Sequence, residues 1–92
     1  MKSSSLRTIR RILSKHKVRR AALFGSAARA QERPGSDIDI LFDPPQRFSL
    51  FDMAGMKEEL ELSLGRNVDL VTFRSVNKLI KPYINRDAKP IL

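Results

Sequence analysis

The sequence predicts an α/β (α+β) domain: a small mixed sheet of three to four strands flanked by helices. Three observations carry that expectation. Apolar residues recur at helical spacing in several segments, strict alternation marks others, and the two kinds follow one another as α-β-α-β-α-β-α. No linker longer than a turn separates them. The chain has 92 residues, so one domain is expected to span 1–92. A domain of that size buries only about two thirds of its unfolded surface, which leaves no room for a separate substrate-recognition domain.

In the first segment, Leu6, Ile9, Ile12 and Leu13 share one helical face and the arginines lie on the other. The hydroxyls of Ser3 to Ser5 are the expected N-caps of this basic helix, residues 1–17. A short apolar strand follows over 18–24 and stops at Gly25. Residues 26–31 are alanine-rich and open a second helix, which ends at Pro34-Gly35-Ser36. The next strand, 37–42, alternates: Ile38, Ile40 and Phe42 point one way, Asp37, Asp39 and Leu41 the other. Pro44-Pro45 stops it. Ser49 and Asp52 form a capping box with aspartate in place of the usual glutamate, and Met53, Met56, Leu60 and Leu64 make the stripe of a helix closed by Gly65. Residues 67–73 form the third strand. Val76, Leu79, Ile80, Tyr83 and Ile84 are helically spaced around a kink at Pro82.

Charge is unevenly placed. The net charge is +8, and residues 1–20 alone hold eight basic side chains and no acid, while residues 21–92 carry ten of each sign. The excess therefore belongs to the first helix and the turn after it. A solvated face is the default reading. A docking surface for an acidic partner or for RNA is the next, with direct nucleic-acid binding open but not favoured. Cysteine is absent and His16 is the single histidine, which excludes disulfides, thiolate nucleophiles and Cys- or His-rich metal sites. His16 itself is expected to be a solvated helix-end residue. No apolar run approaches the roughly 18 residues a membrane span needs, and a soluble, cytoplasmic protein is expected.

The informative stretch is Gly25-Ser26, ten residues, then Asp37-Ile38-Asp39, with a further acid, Asp69, inside the third strand. The strand period puts Asp37 and Asp39 on one face, about 7 Å apart. If Asp69 lies on a neighbouring strand with the same facing, three carboxylates converge. Their mutual repulsion is relieved by a divalent cation, and hard oxygen ligands suit magnesium, with manganese as the alternative. Gly25-Ser26 stands where a strand gives way to a helix, where backbone N–H groups are free to meet a phosphate. Arg29, three residues on, faces the same anion. Together these describe metal-assisted transfer at a nucleoside triphosphate. An EF-hand fails because Ile40 and Leu41 stand where oxygen ligands are required, and a P-loop fails for lack of Gly-Lys-Ser/Thr.

The stretch from Leu23-Phe24-Gly25-Ser26-Ala27-Ala28-Arg29 through Gly35-Ser36-Asp37-Ile38-Asp39-Ile40-Leu41-Phe42 resembles the polymerase-beta-type nucleotidyltransferases. In particular it is similar to the minimal nucleotidyltransferases that act as antitoxins beside HEPN-domain toxins. The resemblance covers about residues 5–88, and the segment Leu79-Ile80-Lys81-Pro82-Tyr83-Ile84 is similar to the family's closing stretch. Where the family often has an acid after the isoleucine, this chain has Asn85-Arg86-Asp87.

The resemblance implies a nucleotidyltransferase fold and a role for each residue. Asp37 and Asp39 would bridge two magnesium ions. Asp69 would bind the second ion and could take a proton from the attacking hydroxyl. Gly25, Ser26 and Arg29 would hold the phosphates of ATP. AMP would pass to a tyrosine hydroxyl of a cognate HEPN toxin. Two alternatives stand beside it: an antitoxin that neutralises by occlusion, and a small-molecule nucleotidyltransferase. The latter usually needs a further domain for its acceptor.

Overall fold

The spacing of Leu6, Ile9, Ile12 and Leu13 becomes helix α1, Ser3–Lys15, in a computed structural model that describes residues 2–24, 37–75 and 88–92. Ile9, Ile12 and Leu13 are fully buried and Leu6 packs at their edge. The start differs from expectation. Lys2 is the N-cap, in extended conformation and without a side-chain cap bond, and the three serines lie inside the first turn. Three adjacent hydroxyls cannot all cap one helix, and extending the helix one residue further upstream leaves none of them in the capping position.

The other end of α1 is closed by a Schellman motif. The Lys17 N–H donates to Ser14 O at 2.9 Å and the Val18 N–H to Leu13 O at 3.0 Å. Lys17 takes the left-handed conformation, φ 65°, where glycine is the usual residue. Val18 and Leu13, the apolar pair of the motif, both enter the core. This turn uses up residues 17 and 18, so strand β1 runs Arg20–Phe24 and begins later than the apolar pattern suggested.

His16, the C-cap of α1, is only partly exposed and is engaged by a partner. Its Nε2 lies 2.9 Å from Glu59 Oε1, and the other oxygen of Glu59 accepts from Lys15 Nζ at 2.9 Å. One carboxylate thus ties the end of α1 to the neighbouring helix. His16 and then Lys15, as hydrogen-bond donors, hold the Glu59 carboxyl below its ordinary 4.5. A depressed carboxyl pKa means stability present above the unfolded value and lost as pH falls through the folded one. The Glu59→Gln protein is therefore expected to melt lower than the parent at pH 7, with the gap closing below about pH 4. Melting curves across that range check it. Since the network is at the surface, the effect should also shrink in high salt.

Strand β2, Ile38–Asp43, pairs antiparallel with β1, Arg20 facing Asp43 through Phe24 facing Asp39. Helix α2, Leu50–Leu64, then carries the chain across to β3, Val68–Thr72, which pairs with β2 in parallel. A parallel pair needs such a crossover. The capping box is present: Asp52 N–H donates to Ser49 Oγ at 3.1 Å and Ser49 N–H to Asp52 Oδ2 at 2.8 Å. Gly65 closes the helix at φ 66°. Ser49→Ala is expected to cost about 1 kcal/mol, readable as a lower urea midpoint with an unchanged slope.

A short 3₁₀ turn, Phe73–Ser75, follows β3. A fourth strand, β4, Lys89–Pro90, pairs antiparallel with β1. The sheet order is β3-β2-β1-β4. Both α1 and α2 cover one face, where Ile9, Ile12, Leu13, Met56 and Leu60 meet Ala21, Leu23, Ile38, Ile40, Phe42 and Val68. Met53 and Leu64 of the expected stripe pack at its margin. The helices expected over 26–31 and 76–84, Tyr83 included, lie outside the described residues.

Candidate functional site

Alternation along the strands leaves a second set of side chains on the face that α1 and α2 do not cover. The cross-strand register aligns them in rows: Ala22, Leu41 and Val71 in one, Phe24, Asp39 and Asp69 in the next. Ala22 and Leu41 are buried there although they stand outside the α1–α2 core. The carboxylate row occupies the end of the sheet where β1 stops. Asp69 is exposed, Asp39 half-buried, and Asp37, immediately before β2, is exposed.

The parallel register makes Asp39 and Asp69 Cα partners. The Asp39 carboxyl is within reach of a side-chain hydrogen bond with that of Asp69. Desolvation first, then that bond and the negative charges of Asp69 and Asp37, push the Asp39 carboxyl up to about 6. The structure thus brings Asp39 and Asp69 together and places Asp37 near enough to act on them through its charge. The three do not close into a cluster, and no group of three or more metal-ligating side chains is gathered among the described residues.

The donor set still suits a hard divalent cation. Two carboxyl groups held in contact on a partly desolvated surface repel each other when ionised, and a cation between them removes the penalty. Gly25, Ser26 and Arg29 lie outside the described residues. What can be placed is Phe24, the residue bonded to Gly25: it is paired with Asp39 across the β1–β2 ladder. The chain therefore leaves β1 at the level of the carboxylates. One feature of this face had no sequence signal. The Arg20 guanidinium sits 4.2 Å above the Phe73 ring, a contact that depends on how β1 and the 3₁₀ turn are brought together in space.

Comparison with known proteins decides what this arrangement is. Residues 7–92 match the model of the family described as polymerase beta, nucleotidyltransferase. The chain belongs to this nucleotidyltransferase family. A provisionally named protein adenylyltransferase of Methanocaldococcus jannaschii, MJ0435, is 44% identical over 81 residues, 88% of this chain and 87% of its own. Protein adenylyltransferase MntA of Thermococcus cleftensis is 35% identical over 91 residues, 90% of this chain and 92% of its own.

Among solved structures, the fold is shared with a complex described as a tri-AMPylated Shewanella oneidensis HEPN toxin with its MNT antitoxin. There the TM-score is 0.77 at 22% identity, over 100% of this chain and 72% of that one. At that identity the likeness speaks to fold. The chain is thus a nucleotidyltransferase with relatives named as protein adenylyltransferases, on the mixed-sheet fold that its sequence suggested. No helix among the described residues is long and apolar enough to cross a membrane.

Proposed function

We propose that this nucleotidyltransferase is a magnesium-dependent protein adenylyltransferase, acting as an antitoxin in the cytoplasm. It would transfer AMP from ATP to a tyrosine hydroxyl of a cognate HEPN-domain toxin and so silence it. The observation that carries the proposal is the Asp39–Asp69 pair, in register on adjacent strands at the end of β1 that leads into Gly25-Ser26. The description of the related fold as an MNT antitoxin bound to a tri-AMPylated HEPN toxin supports the choice of partner and modification.

In this reading the whole chain, 1–92, works as a single unit. Asp37, Asp39 and Asp69 would hold two magnesium ions, which supply positive charge against the triphosphate and the developing negative charge. The backbone N–H groups after Gly25, the Ser26 hydroxyl and the Arg29 guanidinium hold the β- and γ-phosphates, fixing the α-phosphorus for in-line approach. The tyrosine oxygen attacks that phosphorus, the bond to the β-phosphate oxygen breaks, and pyrophosphate leaves. Asp69, exposed and on the open face, accepts the proton the hydroxyl gives up.

The test is intact-mass spectrometry of the cognate HEPN toxin after incubation with the chain, ATP and magnesium. The expected result is a toxin heavier by one or more AMP units, with no gain in EDTA. An unmodified toxin held inactive in a stable complex would replace this reading with neutralisation by occlusion.

A further inference from the structure

Helix α2 carries apolar side chains on two opposite faces. Met56 and Leu60 are buried against the sheet, with Met53 and Leu64 at their margin. Half a turn away, Phe51, Gly55, Glu58 and Leu62 follow one another at i, i+4, i+7 and i+11, the row directed away from the core. All four are exposed. Phe51 is 90% accessible, Leu62 78% and Leu50 beside them 83%. A single exposed leucine needs no explanation. Here, however, three of the four large apolar side chains exposed among the described residues stand on one helix, and a gathered patch marks a contact surface. The row spans about 16 Å and ends in a cleft of about 350 Å³ walled by Glu58, Glu61, Leu62, Gly65, Arg66 and Asn67.

Gly55 is a second, independent sign. It lies in the middle of α2 with helical backbone, and a Cβ added there would meet nothing within 4 Å. The packing of this domain therefore does not need a glycine at 55, and glycine inside a helix is destabilising. Its use lies outside, where the missing side chain lets a second backbone come close between Phe51 and Leu62.

Charge selects what that backbone belongs to. Helix α2 holds four acids, Asp52, Glu58, Glu59 and Glu61, against Lys57 alone, in a chain of net charge +8. Its last turn has no basic residue, so no side chain of that turn offsets the negative end of the helix dipole. Asp52, Glu59 and Glu61 have hydrogen-bond partners within the domain. Glu58, in the exposed row, has no such partner among the described residues.

We propose that the outer row of α2 docks a basic amphipathic helix of a protein partner. Its apolar side chains lie on Phe51 and Leu62, its backbone crosses Gly55, and a lysine or arginine enters the cleft beside Glu58. A second copy of the chain fits poorly. A two-fold axis that sets Phe51 of one copy on Leu62 of the other brings the two Glu58 carboxylates together near the axis, between chains that each carry +8. A membrane surface fits no better, because interfacial helices flank their apolar face with lysine and arginine and this one is flanked by acids. Since α2 covers the sheet face opposite Asp39 and Asp69, a helix docked here leaves the carboxyl pair open. The inference holds whichever acceptor the enzyme modifies.

Fluorescence anisotropy with the full chain tests it, using a labelled synthetic peptide long enough to span α2, roughly 18 residues. The peptide carries leucine at i, i+4, i+7 and i+11 and lysine at the flanking positions. Saturable binding at micromolar concentrations is expected, weakening as salt is added. The same peptide with glutamate for lysine should bind at least about tenfold more weakly. The Phe51→Ser/Leu62→Ser protein, whose charge is unchanged, should also lose at least about tenfold while melting close to the parent, since both side chains are exposed. Gly55→Gln should melt higher than the parent and still bind more weakly, which separates a blocked approach from a damaged fold. Absence of saturable binding would overturn the proposal. So would an undiminished affinity in the double variant, which would put the peptide elsewhere, or equal binding of the glutamate peptide. A parent dimer in sedimentation equilibrium that the double variant dissolves would also overturn it, giving the face to a second copy.

Discussion

Asp39→Asn is expected to lose nucleotidyl transfer by about 1,000-fold or more and, in metal-free buffer at neutral pH, to melt several degrees higher than the parent. The first effect follows from the place of Asp39 in the carboxyl pair. A group that holds charge against the reacting phosphates contributes on the order of 4 kcal/mol to the transition state, and each 1.36 kcal/mol is tenfold in rate. Asparagine keeps the shape and a hydrogen bond to Asp69 but supplies no negative charge.

The second effect has the opposite sign and comes from the same geometry. Burial, the bond to Asp69 and the charges of Asp69 and Asp37 raise the Asp39 carboxyl from 3.8 to about 6. A carboxyl whose folded pKa lies above its unfolded value stabilises the fold fully below the unfolded value, and that contribution is lost as pH rises through the folded one. At pH 7.5 the metal-free parent therefore carries the whole penalty and the Asn variant carries none. Since the group is only partly buried, solvent reduces the cost to on the order of 1 kcal/mol, several degrees in a domain of this size. Melting curves in EDTA at pH 7.5 and below pH 4 check it: the gap should be present at the first and absent at the second. Added magnesium should raise the parent and leave the variant where it was. A variant that melts lower than the parent at pH 7.5 would mean that Asp39 is a structural residue.

What was legible in the sequence and what was not separates along physical lines. Local chemistry could be read directly: the Ser49–Asp52 box, the left-handed Gly65 and the alternation of β2 each depend on residues within a few positions of one another. The facing of Asp39 could be read in the same way. Its partnership with Asp69 could not, because it depends on β2 and β3 being adjacent and parallel in one register, a fact of topology. Strand β4 gave no signal, being two residues long and containing a proline at the sheet edge. It exists because β1 has a free edge, where the Ile91 N–H donates to Ala21 O at 2.9 Å. The end of the first helix, expected at residue 17, falls at Lys15 because the left-handed residue that closes it is a lysine, and the glycine rule finds only the favourable cases.

Phe42→Ala is the substitution expected to cost the fold most, and the reason is where the sheet is thinnest in support. Phe42 is fully buried on the helix-covered face. It stands opposite Ala21 on one side and Thr72 on the other, so neither neighbouring strand offers a bulky apolar side chain to refill the space. Its ring meets Phe48 edge-on, centroids 5.8 Å apart at 71°, which locks the β2–α2 connection onto the core. Deleting a buried phenyl group costs about 3–5 kcal/mol, against a total of roughly 5–15 kcal/mol for a domain. The urea midpoint should fall by about half and the melting temperature by roughly 15 °C or more. Phe48→Ala, at a partly exposed ring, should cost much less, on the order of 1 kcal/mol. Equal losses from the two would show that the aromatic pair, and not the burial of Phe42, holds this end of the sheet. The expected inequality instead places the stability of β2 in its burial, so that the same strand can present Asp39 on its other face at a cost the core absorbs.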